Sequence, residues 1–395
     1  MTIPQASDAL KDIRVIDLSR VRSGPTAARQ FADWGADVIK VEPPESVEPD
    51  GALGAGRDTA DFQNLQRNKR SITLNLKTEG GINVLRELIK TADVVIENFR
   101  PDVKNRLGLD YESLRDINPR IILGSISGFG QDGPYAKRPG FDQIAQGMGG
   151  LMSITGEPGG GPMRVGIPIA DLCAGLFCAM GVLTALYERE RSGEGQWVQT
   201  SLLQSQIFML DFQAARWLTQ GDIPQQAGND HPTSIPTGVF PTTDGTINIA
   251  CAGEAIWQRC AIALGHPEWI EDPRFATNED RSENRKIMNK LITQITQTKS
   301  SHYWVDLLLE KGVPAGPIYS MDEVFNDPQV QHLGIAADAN TLPFGKTKLV
   351  GQPFTMNRTP SHIATHPPAR GEHTEEILNE LGINDFNQLR ANNII

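Results

Sequence analysis

Over its first 130 residues the chain repeats one pattern: a short apolar run, a turn, then an amphipathic stretch. IRVIDLS (13–19), DVIKVE (37–42), SITLNL (71–76), DVVIENF (93–99) and RIILGSIS (120–127) read as buried strands. Helical segments fall between them: from Gly24-Pro25 through Phe31 to Trp34, over Gly81–Ala92, in a short piece up to Gly108, and around Tyr111–Ile117. Continuous apolar strands alternating with helices predict a parallel sheet joined by right-handed crossovers. Next, 141–151 and 171–191 read as helices, the second stopped by ERERSGEG, and GQWVQTSL as a strand running into a long amphipathic helix over 202–219.

From Gly221 the texture changes. GDIPQQAGNDHPTSIPTG is polar and rich in Pro and Gly, a linker by composition. TINIACAG then reads as a strand, with helices around 254–264, 281–297 and 300–311. VPAGPIYS and a return segment, KLVGQPF, lead to a last helix, Thr374–Leu381, stopped by Gly382. The expectation is an α/β chain: a large parallel-sheet domain, a linker and a small α+β domain, as its 395 residues already suggest.

Composition narrows the function. With 37 Lys and Arg against 48 Asp and Glu the formal charge is −11, which argues against a nucleic-acid coat or a polybasic membrane binder. The longest apolar stretch, Ala174 to Tyr187, reads as too short for a membrane span, and MTIPQASDALKDIR lacks a signal core. Cys173, Cys178, Cys251 and Cys260 show no CxxC spacing and read as buried thiols. A cytoplasmic protein without a structural metal is expected.

All seven histidines follow residue 230, so a Ser-His-Asp arrangement built within the first 230 residues is excluded. The first βα turn, SRVRSGPTAARQ, has one glycine and no GxGxxG, and no GxxxxGK[ST] occurs. Glycine clusters at 51–56 and 156–161 either cradle phosphate or simply let the chain turn. Asp171, in GIPIADLCAGLF, has two readings. As an N-cap it satisfies orphan N–H groups. As a carboxylate among apolar neighbours it is a nucleophile that needs no base, being ionised at pH 7 from a reference pKa of ~3.9.

Nine stretches, in order, carry a family resemblance: VIDLSRVRSGP (15–25), WGADVIKVEPP (34–44), NKRSITLNLKTEGG (68–81), ADVVIENFRP (92–101), RIILGSISGFGQDGP (120–134), GFDQIAQGMGGLMSITG (140–156), IADLCAGL (169–176), VPAGPI (313–318) and GEHTEEIL (371–378). With them the chain resembles the class III CoA-transferases, the family of formyl-CoA transferase and carnitine CoA-transferase that also contains α-methylacyl-CoA racemase. The resemblance implies an interlocked-ring homodimer with a Rossmann-like large domain over 1–205 and 335–395, a linker at 206–227 and a small domain at 228–330. It implies that Asp171 is the nucleophile, attacking an acyl-CoA thioester to give an aspartyl anhydride and then an aspartyl-CoA thioester. CoA is then a substrate, and no permanent cofactor or metal is expected.

Contacts to CoA carry over by position. Val21, Arg22 and Ser23 match the backbone at the thiol end, Leu74 and Lys77 a wall and phosphate contact near the adenosine, Asn98 and Phe99 the groups beside pantetheine and adenine, and Arg106 a phosphate-binding arginine. An acidic chain must supply local cations to hold 3′-phospho-ADP, and Lys69, Arg70, Lys77, Arg100 and Arg106 cluster in the segments flanking two strands. Lys69 and Arg70 are equally readable as solvated charges.

Four positions depart from the family pattern. Racemases carry histidine, and formyl-CoA transferase usually tyrosine, where this chain has Phe141, which shares the substrate pocket in this reading. A lysine of formyl-CoA transferase is Pro139 here, with Lys137 and Arg138 as nearby substitutes. An arginine expected after VIKVE is Pro43. Arg22 replaces an apolar residue or Gln. It either braces the turn, pairing with a carboxylate such as Asp17, or clamps the distal carboxylate of a dicarboxylic acid such as succinate, itaconate, mesaconate or glutarate. A CoA-transferase is the leading reading. An α-methylacyl-CoA racemase, with Asp142 or Glu157 as its second acid/base, and a non-catalytic CoA-binding protein are the alternatives.

Overall fold

The computed structural model describes residues 3–49 and 56–395. Apart from Gly56, the glycine cluster at 51–56 lies outside the described residues. The chain divides into two compact units, one of Met1–Leu151, Arg164–Gly221 and Gln331–Ile395, the other of Met152–Met163 and Asp222–Val330.

In the first unit strands and helices alternate as β1 (Arg14–Asp17), α1 (Ser23–Asp33), β2 (Asp37–Glu42), α2 (Ala60–Gln66), β3 (Arg70–Thr73), α3 (Glu79–Lys90), β4 (Val94–Glu97), α4 (Pro101–Arg106), α5 (Tyr111–Ile117) and β5 (Ile122–Ser127). Then come α6 (Asp142–Met148), α7 (Leu151–Ile154), α8 (Ile169–Ser192), β6 (Trp197–Ser201), α9 (Leu202–Phe208) and α10 (Phe212–Gln220). The six strands form one parallel sheet in the order β3-β2-β1-β4-β5-β6, with Val15 opposite both Val38 and Val94. Successive residues of a strand face opposite sides. Val15, Val38, Val94 and Ile122 therefore join one core with α1 and α8, while Ile16, Ile39, Val95 and Leu123 join the other with α3 and α5. Both faces are covered, which is why these strands read as unbroken apolar runs rather than alternating ones. The expected α/β architecture is what the chain forms.

Strand order 3-2-1-4-5-6 reverses direction between β1 and β4, and ligands of open α/β sheets bind where the carboxyl ends of the strands diverge at such a point. This order is reached without the glycine fingerprint. At Gly24, the one glycine of the turn, an added Cβ would lie 2.1 Å from the Ser19 Cβ, so the residue serves close packing.

Several sequence expectations change: the helix expected over 141–151 is Asp142–Met148 followed by a separate Leu151–Ile154, and that over 281–297 divides at Asn284. The apolar helix expected over 171–191 runs from Ile169 to Ser192, and among the described residues it alone is long and apolar enough to cross a membrane. Asp171 on one side and the charged ERER run on the other bounded the apolar stretch read from the sequence, and half of the helix's most apolar window is buried in this unit. The single helix expected over 202–219 is two, α9 and α10, because Asp211 adopts φ 46° and breaks the run. An antiparallel hairpin, Ala336–Thr341 with Gly345–Val350, went unread apart from KLVGQPF. Farther on, the helix Thr374–Glu380 packs Ile377 and Leu378 into the core beside α3, and the His373 N–H donates to the Ser71 carbonyl.

The second unit holds a three-stranded antiparallel sheet, β7 (Thr237–Pro241), β8 (Thr246–Ala250) and β9 (Ala315–Pro317), with helices at Glu254–Ala263, Arg285–Thr296 and Ser301–Glu310. Trp257, Trp269, Phe275 and Trp304 fill its core. Arg281 is buried there, donating to the Ile235 carbonyl at 2.8 Å and pairing with Glu254 at 2.6 Å. The loop 156–161 belongs to this unit, where the Gln226 amide donates to the carbonyls of Thr155 and Gly161.

Candidate active site

At the switch point the turn after β1 meets the turn after β4. Asn98 stitches them together: its amide oxygen accepts the Arg20 N–H at 2.9 Å and its amide nitrogen donates to the Arg20 carbonyl at 2.7 Å. Val21 follows with φ 63°, a conformation that a β-branched residue adopts only where its surroundings force it. Below the turn, Asp17 is fully buried. One oxygen accepts from the Ser19 N–H and hydroxyl, the other from the Lys69 ammonium at 2.9 Å. Burial pushes the Asp17 carboxyl up, but Lys69 and Lys40 outweigh it and hold it below the usual carboxylate range.

These turns wall a cavity of about 750 Å³, within the usual range for ligand pockets. Val21, Arg22, Ser23, Leu74, Lys77, Asn98, Phe99, Arg106, Phe141 and Asp171 all line it, so the structure brings these ten residues into one place. Arg20, Arg22, Lys77, Arg100 and Arg106 stand against Glu42, Glu48 and Asp171 on its walls, a local excess of cations on a chain of charge −11. Arg20 pairs with Glu48, Arg22 with Asp61 and, at 3.4 Å, Arg100 with Asp102. Lys77 and Arg106 are exposed and form no ion pair among the described residues. They are the cations most available to an anionic ligand.

Lys69 and Arg70 are neither solvated nor available. Lys69 is consumed by Asp17 at the end of β1, and Arg70 by Asp37 at the start of β2 and by Glu376 and Glu380 of the C-terminal helix, and neither lines the cavity. Arg22 does not pair with Asp17, whose oxygens are already taken; its partner is Asp61 at 2.5 Å. Of the residues near the missing lysine, Pro139 lines the cavity, whereas the Arg138 guanidinium stacks on the Tyr135 ring at 3.7 Å. Pro43 lines the cavity too, its carbonyl held by Arg370 at 3.0 Å.

Asp171 is not an N-cap. The helix begins at Ile169, which places Asp171 on the inner side of the first turn. The capping is done from α6: one Asp142 oxygen accepts the N–H groups of Ala170 at 2.8 Å and Asp171 at 3.2 Å, and the other accepts from the Gln146 amide at 2.6 Å. Asp171 is thereby free of the capping role. Burial pushes its carboxyl up, the Asp142 charge adds to this, and the Arg22 charge and a Ser23 hydrogen bond oppose it, leaving a pKa of about 6. At pH 7 the group is still mostly ionised, yet more basic than an ordinary aspartate.

Sequence reasoning weighed Asp142 only as a racemase acid and gave Asp61 no place. Asp142 does have a signal: in FDQIAQGM the acidic residue and Gln146 stand four apart, on one face of a helix, and it is that face that is buried. Asp61 has none, because its partner Arg22 lies 39 positions away. Among the described residues no cluster of three or more His, Cys, Asp or Glu side chains could hold a metal ion.

A parallel α/β sheet with a cation-lined cavity at its switch point and a carboxylate released from capping defines an α/β protein with a site suited to an anionic ligand. Residues 10–374 match CoA-transferase family III, and the chain belongs to that family, whose members use CoA thioesters as substrates. It is 41% identical over 388 residues to the succinate–glutarate CoA-transferase of Agrobacterium fabrum, covering 96% of this chain and 97% of that protein. The succinyl-CoA–D-citramalate CoA-transferase of Chloroflexus aurantiacus is 36% identical, with 98% of each chain covered. Among solved structures, a CAIB/BAIF family protein from Brucella suis superposes with a TM-score of 0.82 at 36% identity, over 95% of this chain and all of that one.

Proposed function

We propose that this enzyme moves CoA from an acyl-CoA to a free dicarboxylic acid through covalent intermediates on Asp171. The observation that carries the reading is the Asp171 carboxylate, released from capping by Asp142 and set in one cavity with Arg22 and the predicted CoA contacts. In the first step its oxygen attacks the thioester carbonyl; the C–S bond breaks and CoA leaves as thiolate, giving a mixed aspartyl anhydride. The thiolate attacks the aspartyl carbonyl, the anhydride C–O bond breaks, and the first acid departs as carboxylate. An aspartyl-CoA thioester remains. The acceptor carboxylate then runs both steps in reverse, with no net proton transfer. Water must be kept out while the anhydride exists, and the carboxylates must be held at attack distance.

In this reading Lys77 and Arg106 meet phosphates of CoA, while the strained Val21 turn and Ser23 frame its thiol end. Arg22 clamps the acceptor's distal carboxylate, a task suited to a planar guanidinium. The relatives' names support a small dicarboxylic acid, since the Agrobacterium protein is named for succinate and glutarate. A racemase needs a second acid/base, and here Phe141 is 65% exposed on the cavity wall while both oxygens of Asp142 are spent on N–H donors. The large domain over 1–205 and 335–395 would bind CoA, with 206–227 linking it to 228–330. The enzyme is proposed to act as a cytoplasmic, interlocked homodimer; the exposed stripe Leu176, Met180, Leu183 and Tyr187 along α8 supports a subunit interface.

Incubation with succinyl-CoA and glutarate in heavy water, followed by mass spectrometry, tests the assignment. Transfer yields glutaryl-CoA and free succinate without deuterium at Cα. Deuterium incorporation at a comparable rate, or preference for monocarboxylates across a panel of acids, would overturn it.

A further inference from the structure

Arg22 faces two ways. Its guanidinium lines the cavity near enough to Asp171 to hold that carboxyl down, yet its one hydrogen bond among the described residues is to Asp61, outside the cavity lining. The bond is single, from Nη2 to one carboxylate oxygen. Two buried arginines of this chain instead make two-point forks, Arg67 on Asp33 and Arg281 on Glu254, each through two nitrogens. By contrast the Asp61 side chain is 56% exposed, so releasing it to water costs little. Arg22 retains four N–H donors that Asp61 does not use.

We propose that Asp61 is a built-in stand-in for the acceptor's second carboxylate: it holds Arg22 before the acid enters and exchanges with the distal carboxylate of a bound dicarboxylic acid. The proposal rests on the dicarboxylate reading above. Exchange preserves charge, because one carboxylate replaces another on the same guanidinium and Asp61 turns to solvent. A monocarboxylic acid leaves the Asp61 pair in place. Asp61 therefore sets the margin by which diacids are preferred, through the competition it offers.

The test measures kcat and KM for glutarate and valerate, with succinyl-CoA as donor, in full-length wild type, Asp61→Asn, Asp61→Glu, Arg22→Gln and the Asp61→Asn/Arg22→Gln pair. Asp61→Asn should lower KM for glutarate roughly two- to fivefold, the scale of a half-exposed ion pair, with kcat and the valerate KM nearly unchanged. Asp61→Glu keeps the competing carboxylate and should resemble wild type. Arg22→Gln should erase the gain. If Asp61→Asn leaves the glutarate KM unchanged or raises it while Arg22→Gln still selectively impairs glutarate, the clamp stands and the stand-in is wrong. If Arg22→Gln impairs glutarate and valerate by one factor, the dicarboxylate reading fails and Asp61 fails with it.

Discussion

Asp142 accepts the backbone N–H of Asp171 at 3.2 Å while its charge raises the Asp171 carboxyl. One aspartate thus anchors the start of α8 and, by repulsion, makes the other more basic. Removing the anchor should be costly. Asp142→Ala orphans the N–H groups of Ala170 and Asp171 and leaves the Gln146 amide nitrogen only the Ile167 carbonyl, for a loss of about 1–3 kcal/mol in urea unfolding. Asp142→Asn keeps an oxygen for the two N–H groups and should lose less. It also removes the charge, so the Asp171 pKa should fall below 6. An Ala variant as stable as wild type would show that the cap is dispensable.

Asp171 itself should behave in the opposite way. Its folded pKa of about 6 lies above the ordinary 3.8, so the native state resists ionisation that the unfolded chain accepts. Stability conferred by the protonated form is present below pH 4 and lost as pH rises toward 6. Asp171→Asn should abolish transfer and, at pH 7, raise stability by about 1–3 kcal/mol. With succinyl-CoA present, hydroxylamine should attack the activated Asp171 carbonyl of wild type, expelling succinate or CoA and leaving a hydroxamate at Asp171, and should label no peptide of the variant. Turnover by the variant would remove Asp171 from the mechanism.

Activity should carry the same titration. Only the ionised carboxylate attacks, so kcat/KM should fall about tenfold per unit below pH 6 and level off above it. Burial is the largest cause of the elevation, with Arg22 and Ser23 opposing it. Ser23→Ala and Arg22→Gln should therefore each move the acid limb to higher pH. A limb that stays in place in both variants would assign it to a different group.

The fold was largely legible because a parallel sheet covered on both faces leaves unbroken apolar strands such as VVIE, and these stand out against polar loops. The residues that line the cavity were legible as positions, not by their partners. Arg22, Asn98 and Asp171 were readable from their motifs, but their partners are set by the crossover that brings residues 20 and 98 together, which no local pattern encodes. The same reason explains the misreading of Lys69. A lysine beside a strand looks solvated until the fold supplies a buried Asp17 from 52 positions away.

That Lys69–Asp17 pair yields the last prediction. Both side chains are wholly buried, and Asp17 also holds the Ser19 N–H and hydroxyl at the start of the Val21 turn. Lys69→Met strands a buried carboxylate, for which about 3–5 kcal/mol is the usual cost. The nearby Lys40 charge softens the loss toward the lower end. Asp17→Asn in the Lys69→Met background removes the stranded charge while leaving an oxygen for Ser19, so most of the stability should return. Activity should return with it, since the turn keeps its lower support. If the double variant is stable but inactive, the charge of Asp17, and not only its hydrogen bonds, is needed beneath the site. If Lys69→Met alone costs under 1 kcal/mol in urea unfolding, the pair is not the support that this packing implies.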